Sequence, residues 1–114
     1  MTDCIFCKIA AKEIPSNVMY EDDRAFAFKD IHPQAPVHLL LISKKHFDSI
    51  LAIGDKDESV LAHLIKLIPK LARDQGLAES GFRTVINTGP QGGQTVHHLH
   101  LHLIGGRQMT WPPG

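Results

Sequence analysis

The amino-acid sequence predicts an α+β domain: a five-stranded, mainly antiparallel sheet with one long and one or two short helices. Three observations lead there. Five short segments read as strands, and they do not alternate regularly with helices. One amphipathic run, DESVLAHLIKLIPKLARDQG, is long enough for several helical turns. The stretch HHLHLHL, His97 to Leu103, alternates imidazole and leucine with the two-residue period of a strand. With 114 residues, no internal repeat and no linker, the chain is expected to be one domain, residues 1–114.

In chain order, CIFCKIAAKE carries Ile5, Phe6, Ile9 and Ala10 at helical spacing, and Pro15 closes it. NVMYED and RAFAFKD read as a hairpin turning at Asp22-Asp23. HPQAP is a proline-bounded loop. VHLLLI is apolar on both faces and so a central strand. SKKHFDSILAI turns into a short helical piece. The long helix starts on acidic residues, carries apolar Val60, Leu61, Leu64, Ile65, Leu67, Ile68 and Leu71, and stops at Gly76. Pro69 inside it predicts a kink or a nearby helix end. FRTVINTG is a strand entering a turn, PQGGQT a glycine-rich loop, VHHLHLHLI the last strand, and GGRQMTWPPG an irregular tail.

Twelve basic and twelve acidic residues balance to zero, which argues against a broad nucleic-acid or membrane footprint. A small anion remains accessible to a few histidines and backbone amides. No apolar run reaches the length of a membrane span, and MTDCIFCK lacks the pattern of a signal peptide, so a cytoplasmic location is expected. In that compartment Cys4 and Cys7 suggest a metal site or redox pair rather than a structural disulfide.

On a strand, His98, His100 and His102 share one face, while Leu99, Leu101 and Leu103 take the core face with His97 on their side. Three buried imidazoles would each need a partner and would each displace apolar contact, so the trio reads as a site. Metal ligation is one chemistry. Strand neighbours two apart lie about 6.7 Å apart and the outer pair about 13 Å, so two of the three, with His38, could share a metal. Nucleophilic catalysis is the other. The middle imidazole attacks, its neighbours disfavour a second positive charge, and GPQGGQT supplies donors for an oxyanion through backbone N–H groups, Gln94 and Thr95.

HLHLHLI resembles the His-x-His-x-His-x-x motif, with apolar x, of the histidine triad (HIT) superfamily. CIFCKIAAKEIPSNVMYEDD, DIHPQAPVHLLLISKKH and GGQTVHHLHLHLIGGRQMTWPPG resemble its Hint branch, the histidine triad nucleotide-binding proteins, over nearly the whole chain. That resemblance implies a purine nucleoside phosphoramidate hydrolase. Its substrates would be AMP-lysine, aminoacyl adenylates and AMP amides, cleaved through a covalent nucleotidyl-histidine. It places the nucleophile on His100, with His98, His102 and His38 orienting it and contacting the phosphate. It assigns Asp30 to the ribose hydroxyls and Asn87, Gly93, Gln94 and Thr95 to the phosphate region. Phe6, Ile9, Phe28, Ile31 and Leu40 would surround the base. It further implies a homodimer with a ten-stranded sheet, whose tail brings Trp111 near a substrate.

CIFC suits a structural zinc, with His46 and His97 as the two further ligands. His97 is chosen because strand parity turns it away from the catalytic face, and the resemblance supports the set Cys4, Cys7, His46 and His97. No catalytic metal is expected, and neither nucleic acid nor membrane as a partner. The alternatives are a nucleotide-binding regulatory module with residual catalysis, a dinucleoside polyphosphate hydrolase, and a metal hydrolase using the triad as ligands.

Overall fold

The computed structural model describes residues 3–114. Helix α1 spans Ile5–Ala10. Strands β1 (Val18–Glu21), β2 (Ala25–Lys29) and β3 (Val37–Ser43) follow, and two 3-10 turns, Ile50–Ala52 and Asp55–Asp57, lead into α2, Glu58–Asp74. β4 (Phe82–Val85) and β5 (His100–Gly105) complete one sheet of order β1-β2-β3-β5-β4. Each neighbouring pair is antiparallel, as the α+β reading expects.

Asp22 shapes the hairpin. One of its carboxylate oxygens accepts the N–H groups of Arg24 and Ala25 at 2.8 and 2.7 Å; the other accepts the Tyr20 hydroxyl and His63 Nε2–H. These donors hold its carboxyl well below the usual range and tie the turn to α2.

The two-residue period sorts side chains between two cores. Leu39 and Leu41 of β3 and Leu99, Leu101 and Leu103 meet Leu64, Ile68 and Leu71 of α2. On the opposite face, Phe26, Phe28, Leu40 and Ile42 pack against Phe6 and Ile9 of α1. Each buried leucine or phenylalanine contributes about 1.5–3 kcal/mol, so both helices are held by apolar contact. No helix among the described residues is long and apolar enough to cross a membrane.

Three expectations are adjusted. The long helix does not end at Pro69 but continues to Asp74. Pro69 and Ile65 lie on the exposed side, so water can satisfy the carbonyl that loses its donor. β4 stops at Val85, short of the Thr88-Gly89 turn. β5 begins at His100 rather than Val96, because the preceding amides leave the ladder: Leu99 N–H donates to the Phe47 carbonyl at 2.7 Å and His98 N–H to the Val96 carbonyl at 2.9 Å.

Candidate active site and metal cluster

Phe6 and Ile9 of α1, Phe28 and Leu40 of the sheet, and Ile31 line a cavity of ≈ 310 Å³ together with Asp30, Thr95, His100 and His102. The apolar residues expected around a base therefore do share one cavity. His100 is pinned by Phe6, whose ring meets it edge-on at 5.0 Å between centroids. A larger hollow of ≈ 540 Å³ runs beside the β4 edge, lined by Phe82, Arg83, Arg107 and Met109. The smaller cavity is the better candidate, because the imidazoles and the carboxylate converge there.

Hydrogen-bond partners set the tautomer of each histidine. His100 Nδ1 lies 2.6 Å from the His98 carbonyl and must donate to it, which leaves the Nε2 lone pair free on a residue lining the cavity. The Gln34 backbone N–H donates to His38 Nδ1 at 3.0 Å, so the proton of neutral His38 sits on Nε2. That proton points at His102 Nδ1, 2.9 Å away, with Asp30 Oδ2 at 3.4 Å. His102 Nδ1 is thus an acceptor, and its Nε2–H is the donor left over. Asp30, His38 and His102 gather three potential ligand atoms within 4.8 Å. The Gln34 amide nevertheless keeps the His38 Nε2 lone pair protonated, so these groups form a directed hydrogen-bond chain instead of a cation cradle.

Burial is the first cause that lowers all four imidazole pKa values, taking His98 and His102 down to about 4. Lowered below 6.5, they are neutral at pH 7. For His38 and His102 the folded values lie below the unfolded value of about 6.5. Their contribution to stability is complete above that pH and is lost as pH falls toward about 4. Urea midpoints are therefore expected to drop between about pH 6.5 and 4.5; a flat profile there would contradict the buried neutral pair.

His98 goes elsewhere. It is 0 % exposed, outside the cavity lining, and its Nε2–H donates to the Ser43 carbonyl at 2.7 Å. Its Nδ1 faces Cys4 Sγ at 3.3 Å, Cys7 Sγ at 3.5 Å and His46 Nδ1 at 3.1 Å. His46 donates its own Nε2–H to Asp48 at 2.7 Å and lies 3.3 Å from Cys7 Sγ through Nδ1. Two imidazole lone pairs and two sulfurs therefore converge within 4.8 Å. Lone pairs facing each other at 3.1 Å repel, and a cation resolves that repulsion. The donor set, two sulfurs and two imidazole nitrogens, fits tetrahedral zinc. Burial, with a contribution from neighbouring Cys4, pushes the Cys7 thiol up to about 11, so binding a cation there releases a proton.

This corrects the ligand set Cys4, Cys7, His46 and His97. His97 is exposed and belongs to no such cluster; His98 takes the place assigned to it. The cluster lies beside α1, on the face that His98 and His100 share through Phe6, so alternation turns His98 toward it and His97 away; the expectation that the cysteines lie on the leucine side is what fails. The corrected set also changes the reading of His98, which reaches His100 through its backbone carbonyl and whose ring is fully buried.

Among the other expected residues, His38 hydrogen-bonds to His102 and does not line the cavity. Asn87 donates its amide to the Gly92 carbonyl at 2.7 Å. Gly93 adopts φ 75°, and a Cβ on Gly92 would meet the Thr88 carbonyl at 2.2 Å, so the loop's tight path needs these glycines. Gln94 is fully engaged within the protein: it accepts from Gly89 N–H and donates to the carbonyls of Asp48 and Val96. Trp111 is 82 % exposed and outside the cavity lining. Sequence reasoning missed the Gln34 amide and Asp48, since backbone donors carry no residue signature and a lone aspartate two after a histidine is a common pairing.

A histidine-lined strand over a small cavity, on a five-stranded antiparallel sheet, defines a histidine triad protein. The HIT domain model matches residues 11–109, and the chain belongs to that family. It is 54 % identical over 113 residues to the adenylylsulfatase HINT1 of Arabidopsis thaliana, covering 96 % of this chain and 76 % of that one. It is 54 % identical over 115 residues to a 14 kDa zinc-binding protein of Brassica juncea, covering 98 % and 100 %. The crystal structure of a HIT family hydrolase from Legionella pneumophila Philadelphia 1 superposes with a TM-score of 0.96 at 54 % identity, covering 98 % of this chain and 100 % of that one. The fold is that of HIT family hydrolases.

Proposed function

We propose that this single HIT domain, residues 1–114, hydrolyses purine nucleoside phosphoramidates through a nucleotidyl-histidine on His100. One observation carries the reading: His100 Nδ1–H is held by the His98 carbonyl, leaving Nε2 unshared on a residue that lines one cavity with Asp30 and five apolar side chains, Phe6, Ile9, Phe28, Ile31 and Leu40. The purine lies among Phe6, Ile9, Phe28, Ile31 and Leu40. Asp30 keeps acceptor capacity for the ribose hydroxyls, because each carboxylate oxygen has a second lone pair. The Nε2 lone pair attacks phosphorus, the P–N bond breaks, and the leaving nitrogen takes a proton from solvent, which the hydrolysis step returns. Water then cleaves the nucleotidyl-imidazole bond to release the nucleoside monophosphate and restore His100. His102 Nε2–H, oriented by His38, donates to a nonbridging oxygen as charge develops, and Thr95, Gly93 and Asn87 complete the phosphate end.

Zinc held by Cys4, Cys7, His46 and His98 serves structure, linking α1 to the catalytic segment; no metal takes part in the reaction. The protein acts in the cytoplasm, with no nucleic acid or membrane as partner. The deciding experiment is turnover of AMP-lysine, AMP amides, adenylyl sulfate and dinucleoside polyphosphates by purified protein. kcat/KM for the P–N substrates is expected to exceed the rest by at least about tenfold, ~1.4 kcal/mol of transition-state stabilisation. A preference for the anhydrides would replace this reading.

The active form is a homodimer joined along β4 into a ten-stranded sheet. β4 ends the sheet, Phe82 on it is 39 % exposed, and an unpaired strand edge invites pairing. The tail then carries Trp111 toward the partner's cavity. Light scattering at micromolar concentration is expected to give twice the chain mass, and Phe82→Arg to shift it toward one; a monomeric wild type would refute the pairing.

A further inference from the structure

We propose that Gln94 is a positioning residue that couples the Cys/His cluster to the glycine-rich loop beside the nucleophile. The coupling rests on the reading of that cluster as a metal site.

The segment His46-Phe47-Asp48 makes three connections. The His46 ring enters the cluster, 3.3 Å from Cys7 Sγ and 3.1 Å from His98 Nδ1. The Phe47 carbonyl accepts from Leu99 N–H at 2.7 Å, immediately before β5. The Asp48 carbonyl accepts from Gln94 Nε2 at 2.7 Å, while the Asp48 carboxylate holds His46 Nε2–H. Gln94 is the far end of this strut. Its second amide proton goes to the Val96 carbonyl at 3.1 Å, and its oxygen takes Gly89 N–H at 3.0 Å across the mouth of the loop.

One amide thus clamps both ends of residues 89–96 to the backbone of a residue whose side chain orients a ligand. Ordering His46 orders the segment, and the segment holds the loop. By linkage, a loop that favours the ordered segment also favours the cation that orders it. A Gln94 serving only the loop's internal structure would produce neither effect.

The test compares wild type, Gln94→Leu and Gln94→Glu, each with one equivalent of zinc and after chelation. Glutamate keeps the acceptor for Gly89 N–H and loses both donors, so it removes the strut to Asp48 together with the Val96 bond while the bond across the loop's mouth survives. Amide hydrogen exchange is read at Gly93, whose N–H bonds to the Pro90 carbonyl, and at Leu99. In wild type, zinc is expected to slow exchange at both, at Gly93 by roughly tenfold. In both variants the Gly93 response is expected to shrink to within about twofold while the Leu99 response persists. Competition with a chromophoric chelator is expected to show zinc held about fivefold more weakly in Gln94→Leu, below the ~10–100-fold typical of direct outer-shell partners.

A zinc response at Gly93 as large in the variants as in wild type overturns the role of Gln94. So does a wild type in which Leu99 slows and Gly93 does not. A wild type that takes up no zinc overturns the metal reading and this coupling together, and the zinc content identifies that case.

Discussion

His100→Ala or His100→Gly is expected to abolish phosphoramidate hydrolysis, by at least about a thousandfold or ~4 kcal/mol, while AMP still binds within about threefold of wild type. The reason is a count of lone pairs. His98 gives Nε2–H to Ser43 and turns Nδ1 to the sulfurs. His38 accepts from Gln34 at Nδ1 and donates from Nε2. His102 accepts at Nδ1 and so carries its proton on Nε2. Of these four imidazoles, His100 alone offers an unshared pair to the cavity. The cavity's other residues supply most of the binding, so truncating this ring removes the attack and spares the nucleotide. His102→Ala, which removes a donor, is expected to cost about a hundredfold. Mass spectrometry after rapid acid-free quench should find AMP on His100 in wild type and on no residue in His100→Ala. Wild-type turnover in either His100 variant, or AMP trapped on His102, would move the nucleophile.

The second large effect concerns stability. The double variant Cys4→Ser/Cys7→Ser is expected to lose its zinc and unfold about 10 °C earlier at saturating metal. Free zinc a hundredfold above its Kd stabilises by about 2.7 kcal/mol, and a domain of this size shifts by roughly 4 °C per kcal/mol. Cys4 is also the N-cap of α1, its sulfur accepting Cys7 N–H at 3.3 Å, so α1 loosens at its start. The single variants His98→Ala and His97→Ala separate the two ligand assignments. The first should lose zinc, and the second should keep both zinc and turnover. Zinc retained at one equivalent in the cysteine variant, or lost in His97→Ala, would show the cluster misassigned.

Alternation along HLHLHL places leucines against α2 and imidazoles on the other face, and the amphipathic run 57–76 contains α2; both were legible because strand and helix periods are local properties of the chain. The same holds for the hairpin at Asp22-Asp23 and for Cys-x-x-Cys at the start of a helix. What period two could not show is where the strand begins. The hydrogen bond from Leu99 to Phe47 lies between residues far apart in sequence, and it brings the segment of His46 beside His98, where Cys4 and Cys7 of α1 meet both rings. Three histidines with one spacing therefore have three environments: a ligand cluster, a free lone pair, and a hydrogen-bond chain. The tautomers that separate them depend on Ser43, Gln34 and the carbonyl of His98 itself. Two of those partners are brought within reach only by folding, and all three act through backbone atoms that every residue carries. Residue type and spacing determine which side chains can do chemistry here; which lone pair is left to do it is decided by the backbone groups that the tertiary fold brings to each ring.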